Sequence, residues 1–160
     1  MRLALIPGSF DPMTLGHLDL VRRSLKLFDA VAVAIMRNPD KKYLFTDGER
    51  RNIALLTVAG MPGVTVISCD GYTADLAAAV GACALVKGIR SDADLRDEYA
   101  QYEFNSQRQP GIETVLLPAA PDMAEVSSTA VRKLILSGSD TSAFLAPEAA
   151  RYIAGIIKNR

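Results

Sequence analysis

Short apolar runs alternate along the chain with longer stretches that are apolar on one side only, and the alternation reads strand, helix, strand, helix. Leu3-Ala4-Leu5-Ile6 is continuously apolar and ends at Pro7-Gly8, the mark of a strand buried on both faces. From His17 the period changes. Leu18, Val21, Leu25 and Phe28 form one stripe while Arg22, Arg23 and Lys26 fall away from it, so an amphipathic helix is expected. Ala30 to Met36 repeats the strand pattern, and the polar stretch from Arg37 to Lys42 reads as a loop. Thr46-Asp47-Gly48-Glu49 has the spacing of a capping box and predicts a helix to about Gly60.

The unit then repeats. Val64 to Ile67 reads as a third strand, Thr73 to Val80 as a third helix, and Ala84 to Lys87 as a fourth strand ending at Gly88. A polar helix is expected from about Asp92 until Pro110, which cannot continue one. Thr114 to Leu117 gives a fifth strand closed by Pro118. Ser127-Ser128 caps a helix carrying Val131, Leu134 and Ile135, and Pro147 opens a last one carrying Tyr152, Ile153, Ile156 and Ile157. Strands alternating with helices imply right-handed crossovers. The expected architecture is α/β, a Rossmann-like, doubly wound parallel five-stranded sheet with helices on both faces. No repeat, low-complexity tract or linker interrupts it, so residues 1–160 are read as one domain.

Composition narrows the function classes. With 49% apolar and 22% charged residues the balance is that of a globular chain, and its 160 residues suit one core. Formal charge is zero, which leaves no global field to hold a nucleic-acid backbone, so nucleic acid is not an expected partner. Cys69 and Cys83 lie in apolar surroundings without metal or redox spacing and are expected to be buried free thiols. Met1 to Ile6 is too short for a signal peptide, and Leu76 to Val86 falls short of a bilayer span. A soluble, cytoplasmic protein without a membrane partner is the expectation.

In a doubly wound sheet the loops after the strands converge on one crevice. After the first strand come Gly8-Ser9-Phe10-Asp11-Pro12 and Thr14-Leu15-Gly16-His17; after the second, Lys41-Lys42; after the fourth, Lys87-Gly88-Ile89-Arg90; after the fifth, Val126-Ser127-Ser128-Thr129-Ala130-Val131-Arg132. Each suits a polyphosphate. Glycines let backbone amides approach phosphate oxygens, helix starts at His17 and Ser127 offer free amides, and Lys41, Lys87 and Arg90 supply charge. Taken singly these are a turn, a cap and a solvated loop, and a lone histidine at a helix start is more often a surface residue than a catalyst. Their joint occurrence at one end of one sheet favours a site. Neither a G-x-x-x-x-G-K-[ST] loop nor a G-x-G-x-x-G fingerprint occurs, which counts against common kinase and dehydrogenase readings.

Gly8-Ser9-Phe10-Asp11-Pro12, Thr14-x-Gly16-His17 and Val126-Ser127-Ser128-Thr129-x-x-Arg132 resemble the signatures of the nucleotidyltransferase superfamily, generically HxGH and ISSTxxR. With Lys41 and the segment Lys87 to Arg90, the chain from Arg2 to about Ile153 resembles the bacterial phosphopantetheine adenylyltransferases. That resemblance implies reversible transfer of an adenylyl group from ATP, with Mg2+ present, to 4′-phosphopantetheine, giving dephospho-coenzyme A and pyrophosphate. It also implies a homohexamer and coenzyme A as a feedback ligand. By position, it implies that Ser9 contacts both substrates, that Phe10 holds ATP through its backbone, and that Lys41 binds the acceptor phosphate and the transferring group. Thr73 matches a pantetheine-side position. Gly88, Ile89, Arg90, Glu98 and the segment Met123, Ala124, Glu125, Val126, Ser127, Ser128 and Thr129 match the nucleotide side. Two positions depart from the family. Lys87 stands where Arg is usual, which keeps charge but loses the guanidinium fork, and Met123-Ala124-Glu125 replaces a bulkier, often aromatic segment.

The implied chemistry needs no enzymic nucleophile, because the acceptor phosphate is itself one. His17 is therefore expected to donate to an α-phosphate oxygen, Lys41 to bridge the reactants, and Arg90 to hold the β- and γ-phosphates with the Ser127 helix start. No carboxylate cluster suggests a protein metal cage, so magnesium is expected to be held by phosphates and water. The competing readings are the same nucleotide site with another acceptor, such as nicotinamide mononucleotide or a phosphorylated alcohol, and a non-catalytic nucleotide-binding regulator.

Overall fold

The computed structural model describes residues 1–160. Strand β1 (Leu3–Gly8) is followed by α1 (Leu15–Ser24), β2 (Ala30–Met36), α2 (Asp47–Thr57), β3 (Val64–Cys69), α3 (Thr73–Ala79) and β4 (Ala84–Ile89). Then come α4 (Asp92–Arg108), β5 (Glu113–Pro118), a single 3-10 turn (Pro121–Met123), α5 (Ser128–Leu136) and α6 (Pro147–Lys158). All pairings are parallel and the strand order is β3-β2-β1-β4-β5. The doubly wound α/β expectation therefore holds, with the switch point between β1 and β4.

Alternation along the strands divides the core unequally. Ala4, Ile6, Val31, Val33, Ile35 and Val86 face a large cluster built with side chains of α1, α2, α5 and α6. Leu5, Ala32, Ala34 and Leu85 face a smaller one closed by Ala77 of α3. Helix α4 contributes no buried residue at all.

The switch point is also where the sheet opens. The β1–β2 ladder runs from Leu3↔Ala30 through Gly8↔Ile35, whereas the β1–β4 ladder contains only Ala4↔Ala84 and Leu5↔Leu85. Pro7 has no N–H with which to extend that second ladder. The two central strands consequently part toward their carboxyl ends and leave a crevice.

Several boundaries differ from expectation. Helix α1 starts at Leu15 rather than His17 and stops at Ser24, with Leu25 as its cap, so Phe28 packs on the core from a turn. Ser24 uses its hydroxyl on the Leu20 carbonyl at 2.7 Å, offering the backbone an alternative just where the helix ends. Helix α2 ends at Thr57, three residues short of Gly60, whose φ of 74° belongs to the turn beyond. The cysteines are free but not buried: Cys69 is partly exposed and Cys83 exposed. Both lie at strand ends, Cys69 closing β3 and Cys83 just before β4.

Candidate active site

The crevice is a cleft of about 710 Å³ lined by residues from the ends of β1, β4 and β5, the loop after β2, and the first turns of α1 and α5. Its floor is the loop after β1. Phe10 is buried with φ of 47°, the left-handed region that a non-glycine residue rarely adopts and that costs roughly 1–3 kcal/mol. Its ring folds back over the strand end, and a Cβ at position 8 would meet it at 2.9 Å, so only glycine fits there. Neighbouring groups hold this strained loop. Asp11, buried, accepts the N–H groups of Leu44 and Phe45, both at 2.9 Å. Ser128 donates to the Pro12 carbonyl at 2.8 Å and Arg132 to the Asp11 carbonyl at 2.8 Å.

His17 sits at the third position of α1, where a capping box normally has Glu or Gln. Its Nδ1 accepts the Thr14 backbone N–H at 3.0 Å. A backbone amide can only donate, so Nδ1 carries the lone pair and, in the neutral ring, Nε2 carries the proton. The ring meets Phe10 edge to face at 5.0 Å. Burial, and secondarily the positive charge of Arg90, hold the imidazole at about 4, far below its ordinary 6.5. His17 is thus a neutral N–H donor at physiological pH. The sign of the linkage follows: between about 4 and 6.5 the unfolded chain takes up a proton that the folded chain refuses, so His17 makes stability fall as pH drops through that window. Urea titrations should show wild-type stability declining relative to His17→Gln from pH 7 to pH 5, and parallel curves would contradict a neutral, shielded ring.

Helix starts around the cleft share a feature that no other helix shows. Neither α1 nor α5 has an acidic residue in its first turn. By contrast, α2 begins with Asp47 and Glu49, α3 with Asp75, α4 with Asp92 and Asp94, and α6 with Glu148. The partial positive charge of a helix N-terminus is therefore countered by side chains everywhere except at the two ends that face the cleft. At α5, Ser127 caps by accepting the Ala130 N–H at 3.1 Å, and Gly16 is held close to Val126, whose carbonyl would lie 3.2 Å from any Cβ there.

The structure brings together Ser9, Phe10, His17, Lys41, Lys87, Gly88, Arg90, Glu98, Met123, Val126, Ser127, Ser128 and Thr129, all on the cleft wall. Thr73, Ile89, Ala124 and Glu125, which the family resemblance assigned to the substrates, are not on that wall. Thr73 opens α3 after β3, an edge strand two places from β1. Ile89 ends β4 with its carbonyl accepting the Ala119 N–H at 2.8 Å. Ala124 caps the 3-10 turn and Glu125 is exposed beside it. Glu98, expected on the nucleotide, lies on the cleft wall paired with Lys87 Nζ at 3.1 Å, and Gln101 lies at 3.5 Å from the same nitrogen. Arg90 is paired with Asp94 at 3.2 Å.

Other cleft residues were not singled out by the sequence. Arg23 donates to the Pro118 carbonyl at 2.6 Å, with Asp19 at 3.5 Å, so it ties α1 to the end of β5 instead of facing solvent. Its signal was present in the spacing, since Asp19 and Arg23 stand one turn apart on the side of α1 opposite the early stripe. No group of three or more His, Cys, Asp or Glu side chains is arranged to hold a metal ion.

A parallel sheet split at its switch point, two uncountered helix starts, a neutral histidine donor and cations from several strand ends share one cleft, the arrangement of a nucleotidyltransferase. The chain belongs to the cytidylyltransferase-like family, whose model matches residues 5–134, and within it to the phosphopantetheine adenylyltransferases. It is 40% identical to the phosphopantetheine adenylyltransferase of Chloroflexus aggregans over 147 residues, 92% of this chain and 91% of that one. It is 43% identical to that of Flavobacterium psychrophilum over 151 residues, 94% and 99% of the two chains. Among solved structures, a Vibrio parahaemolyticus protein provisionally assigned as a nicotinate-nucleotide adenylyltransferase superposes with a TM-score of 0.73, covering 98% of this chain and 94% of its own. At 18% identity that likeness concerns the fold.

Proposed function

We propose that residues 1–160 form one nucleotidyltransferase domain that reversibly moves the adenylyl group of ATP onto 4′-phosphopantetheine, forming dephospho-coenzyme A and pyrophosphate in coenzyme A synthesis. The observation that carries this reading is the pair of helix starts without acidic residues, both at a cleft whose cations come from the loop after β2 (Lys41, Lys42), the end of β4 (Lys87, Arg90) and α5 (Arg132). Relatives bearing that activity over nine-tenths of the chain support the choice of acceptor.

In the reaction an oxygen of the acceptor phosphate attacks the α-phosphorus, and the bond to the bridging oxygen of pyrophosphate breaks in line. No proton has to be removed from an already ionised nucleophile. The enzyme therefore contributes alignment and charge. His17 Nε2–H donates to a non-bridging α-oxygen, and its fixed tautomer supports that role. Lys41 reaches in from the loop after β2 and bridges acceptor phosphate and transferring group. Ser9 contacts both substrates and the Phe10 N–H meets ATP. Arg90 and the Ser127, Ser128 and Thr129 turn hold the β- and γ-phosphates, while Gly88, Met123 and Val126 line the nucleotide. Ile89, Ala124 and Glu125 act on that side through the backbone they support, as does Thr73 on the pantetheine side.

Lys87 and Glu98 form a half-buried pair, so acceptor phosphate binds Lys87 as a third member of that pair. Magnesium would arrive with ATP, held by phosphate oxygens and water, and would neutralise part of the phosphate charge. Its donor set would lie on the substrate because no cluster of carboxylates is arranged to hold it: Asp11 is engaged on two amides and Glu98 on Lys87, Asp19 lies 3.5 Å from Arg23, and Asp40 stands apart from them. Lys41→Ala is expected to leave the ATP dissociation constant within about twofold but to raise the acceptor KM and lower kcat by about tenfold each, since a bridging charge acts mainly once the acceptor is present. Unchanged kinetics would reject the bridging role.

The exposed Leu95, Tyr99 and Phe104 of α4, with Tyr72 beside them, support assembly as a homohexamer. Coenzyme A, with the same pantetheine and adenylyl groups as the product, is the expected feedback ligand of this cleft. No helix is long and apolar enough to cross a membrane, in keeping with a cytoplasmic site of action.

A further inference from the structure

Arg50 is a buried cation that the reaction does not touch. Its side chain is 1% exposed. Nη1 donates to the Ser9 carbonyl at 2.5 Å and to the Met36 carbonyl at 3.1 Å, and Nη2 donates to Asp47 at 2.7 Å. Only Nε lacks a partner. The plane of the guanidinium lies against the Tyr43 ring, 4.1 Å from its centroid.

Each contact bears on a different side of the cleft. The Ser9–Phe10 peptide is trans, so drawing the Ser9 carbonyl inward onto Arg50 turns the Phe10 N–H the other way, toward the nucleotide. Without that anchor nothing among the hydrogen bonds of this loop fixes the peptide plane next to the strained Phe10. Tyr43 serves the other side. Its hydroxyl accepts the Asn38 N–H at 2.8 Å, and the Lys41 N–H donates to the Asn38 carbonyl at 3.1 Å, so the ring closes the loop that presents Lys41.

We propose that Arg50 and Tyr43 are positioning residues: one guanidinium fixes the Phe10 amide and, through the Tyr43 ring, the Lys41 loop, setting the separation at which nucleotide and acceptor phosphates meet. This inference rests on the adenylyl-transfer reading. It goes beyond that reading by assigning catalytic spacing to Arg50, which does not line the cleft, and to Tyr43 through the loop it closes.

The test uses Tyr43→Ala, Tyr43→Phe and Arg50→Lys. Tyr43 is only half buried, and its replacement spares the core. Tyr43→Ala is expected to raise the acceptor KM about tenfold and lower kcat several-fold with ATP affinity unchanged, because a loop displaced by about 1 Å loses alignment before it loses binding of the other substrate. Tyr43→Phe, which keeps the stack but loses the hydroxyl that accepts the Asn38 N–H, should fall between wild type and Tyr43→Ala. Arg50→Lys cannot hold two carbonyls and Asp47 together, so it should weaken ATP binding as well. Amide exchange should accelerate at residues 38–43 in Tyr43→Ala and stay unchanged in β1. A Tyr43→Ala enzyme with wild-type KM, kcat and exchange rates, altered only in melting temperature, would overturn the inference. Wild-type protein forming no dephospho-coenzyme A would overturn the reaction instead, and exchange at residues 38–43 would then decide whether the joint exists.

Discussion

His17→Ala is expected to lower kcat by about 10²–10³-fold, roughly 3–4 kcal/mol, the usual cost of removing one preorganised donor from a developing negative charge. The histidine holds nothing else that could explain such a loss. Its Nδ1 accepts one amide at the head of α1, and its ring rests on Phe10. ATP affinity should change little, because the proposed binding mode gives the ground-state phosphates other partners in the helix-start amides and the cleft cations. A loss in kcat and kcat/KM together, with binding preserved, is the signature of a contact made in the transition state. Since the imidazole stays neutral down to about 4, the rate should also show no His17 inflection between pH 6 and pH 8. Less than about a tenfold loss, on the order of 1.4 kcal/mol, would remove His17 from the mechanism.

Asp11→Ala is expected to be the most damaging change to stability among residues around the cleft, at about 2–5 kcal/mol. The carboxylate is 2% exposed and is the partner of two backbone amides, Leu44 and Phe45. Alanine leaves both donors unpaired, that of Phe45 buried and that of Leu44 partly so, which is costlier than the loss of the bonds themselves. It also withdraws the charge that faces Arg132 at 3.8 Å. The loop carrying Ser9 and Phe10 would then be tied to α5, and to the loop after β2 only through Arg50 and Tyr43. Urea unfolding of purified variant and wild type checks this, and a difference below about 1 kcal/mol would contradict it.

Much of the fold was legible because strands buried on both faces leave continuous apolar runs, and Ala30 to Met36 was read with its observed limits. The boundaries that shifted were set by local competition. Ser24 turned its hydroxyl onto the helix backbone, and Gly60 fell in a left-handed turn. Site residues were legible where they stand directly after a strand, since topology alone gathers them. Arg50 was not, because it sits beside Arg51 in a polar run and only tertiary packing shows that one is buried and the other exposed. The Lys87–Glu98 pair was equally hidden. Eleven residues separate them in sequence, and only the placement of α4 beside β4 brings charge to charge. Thr73 shows a different limit: resemblance places a residue in sequence, whereas the strand order sets how far it lies from the switch point, here at the start of α3 beyond the edge strand β3.

The most direct test incubates purified protein with ATP, magnesium and 4′-phosphopantetheine and separates the products, alongside reactions with nicotinamide mononucleotide and without acceptor. Equal amounts of dephospho-coenzyme A and pyrophosphate, formed only with the pantetheine acceptor, are the predicted result. Binding of ATP without that product, or transfer to nicotinamide mononucleotide instead, would contradict it.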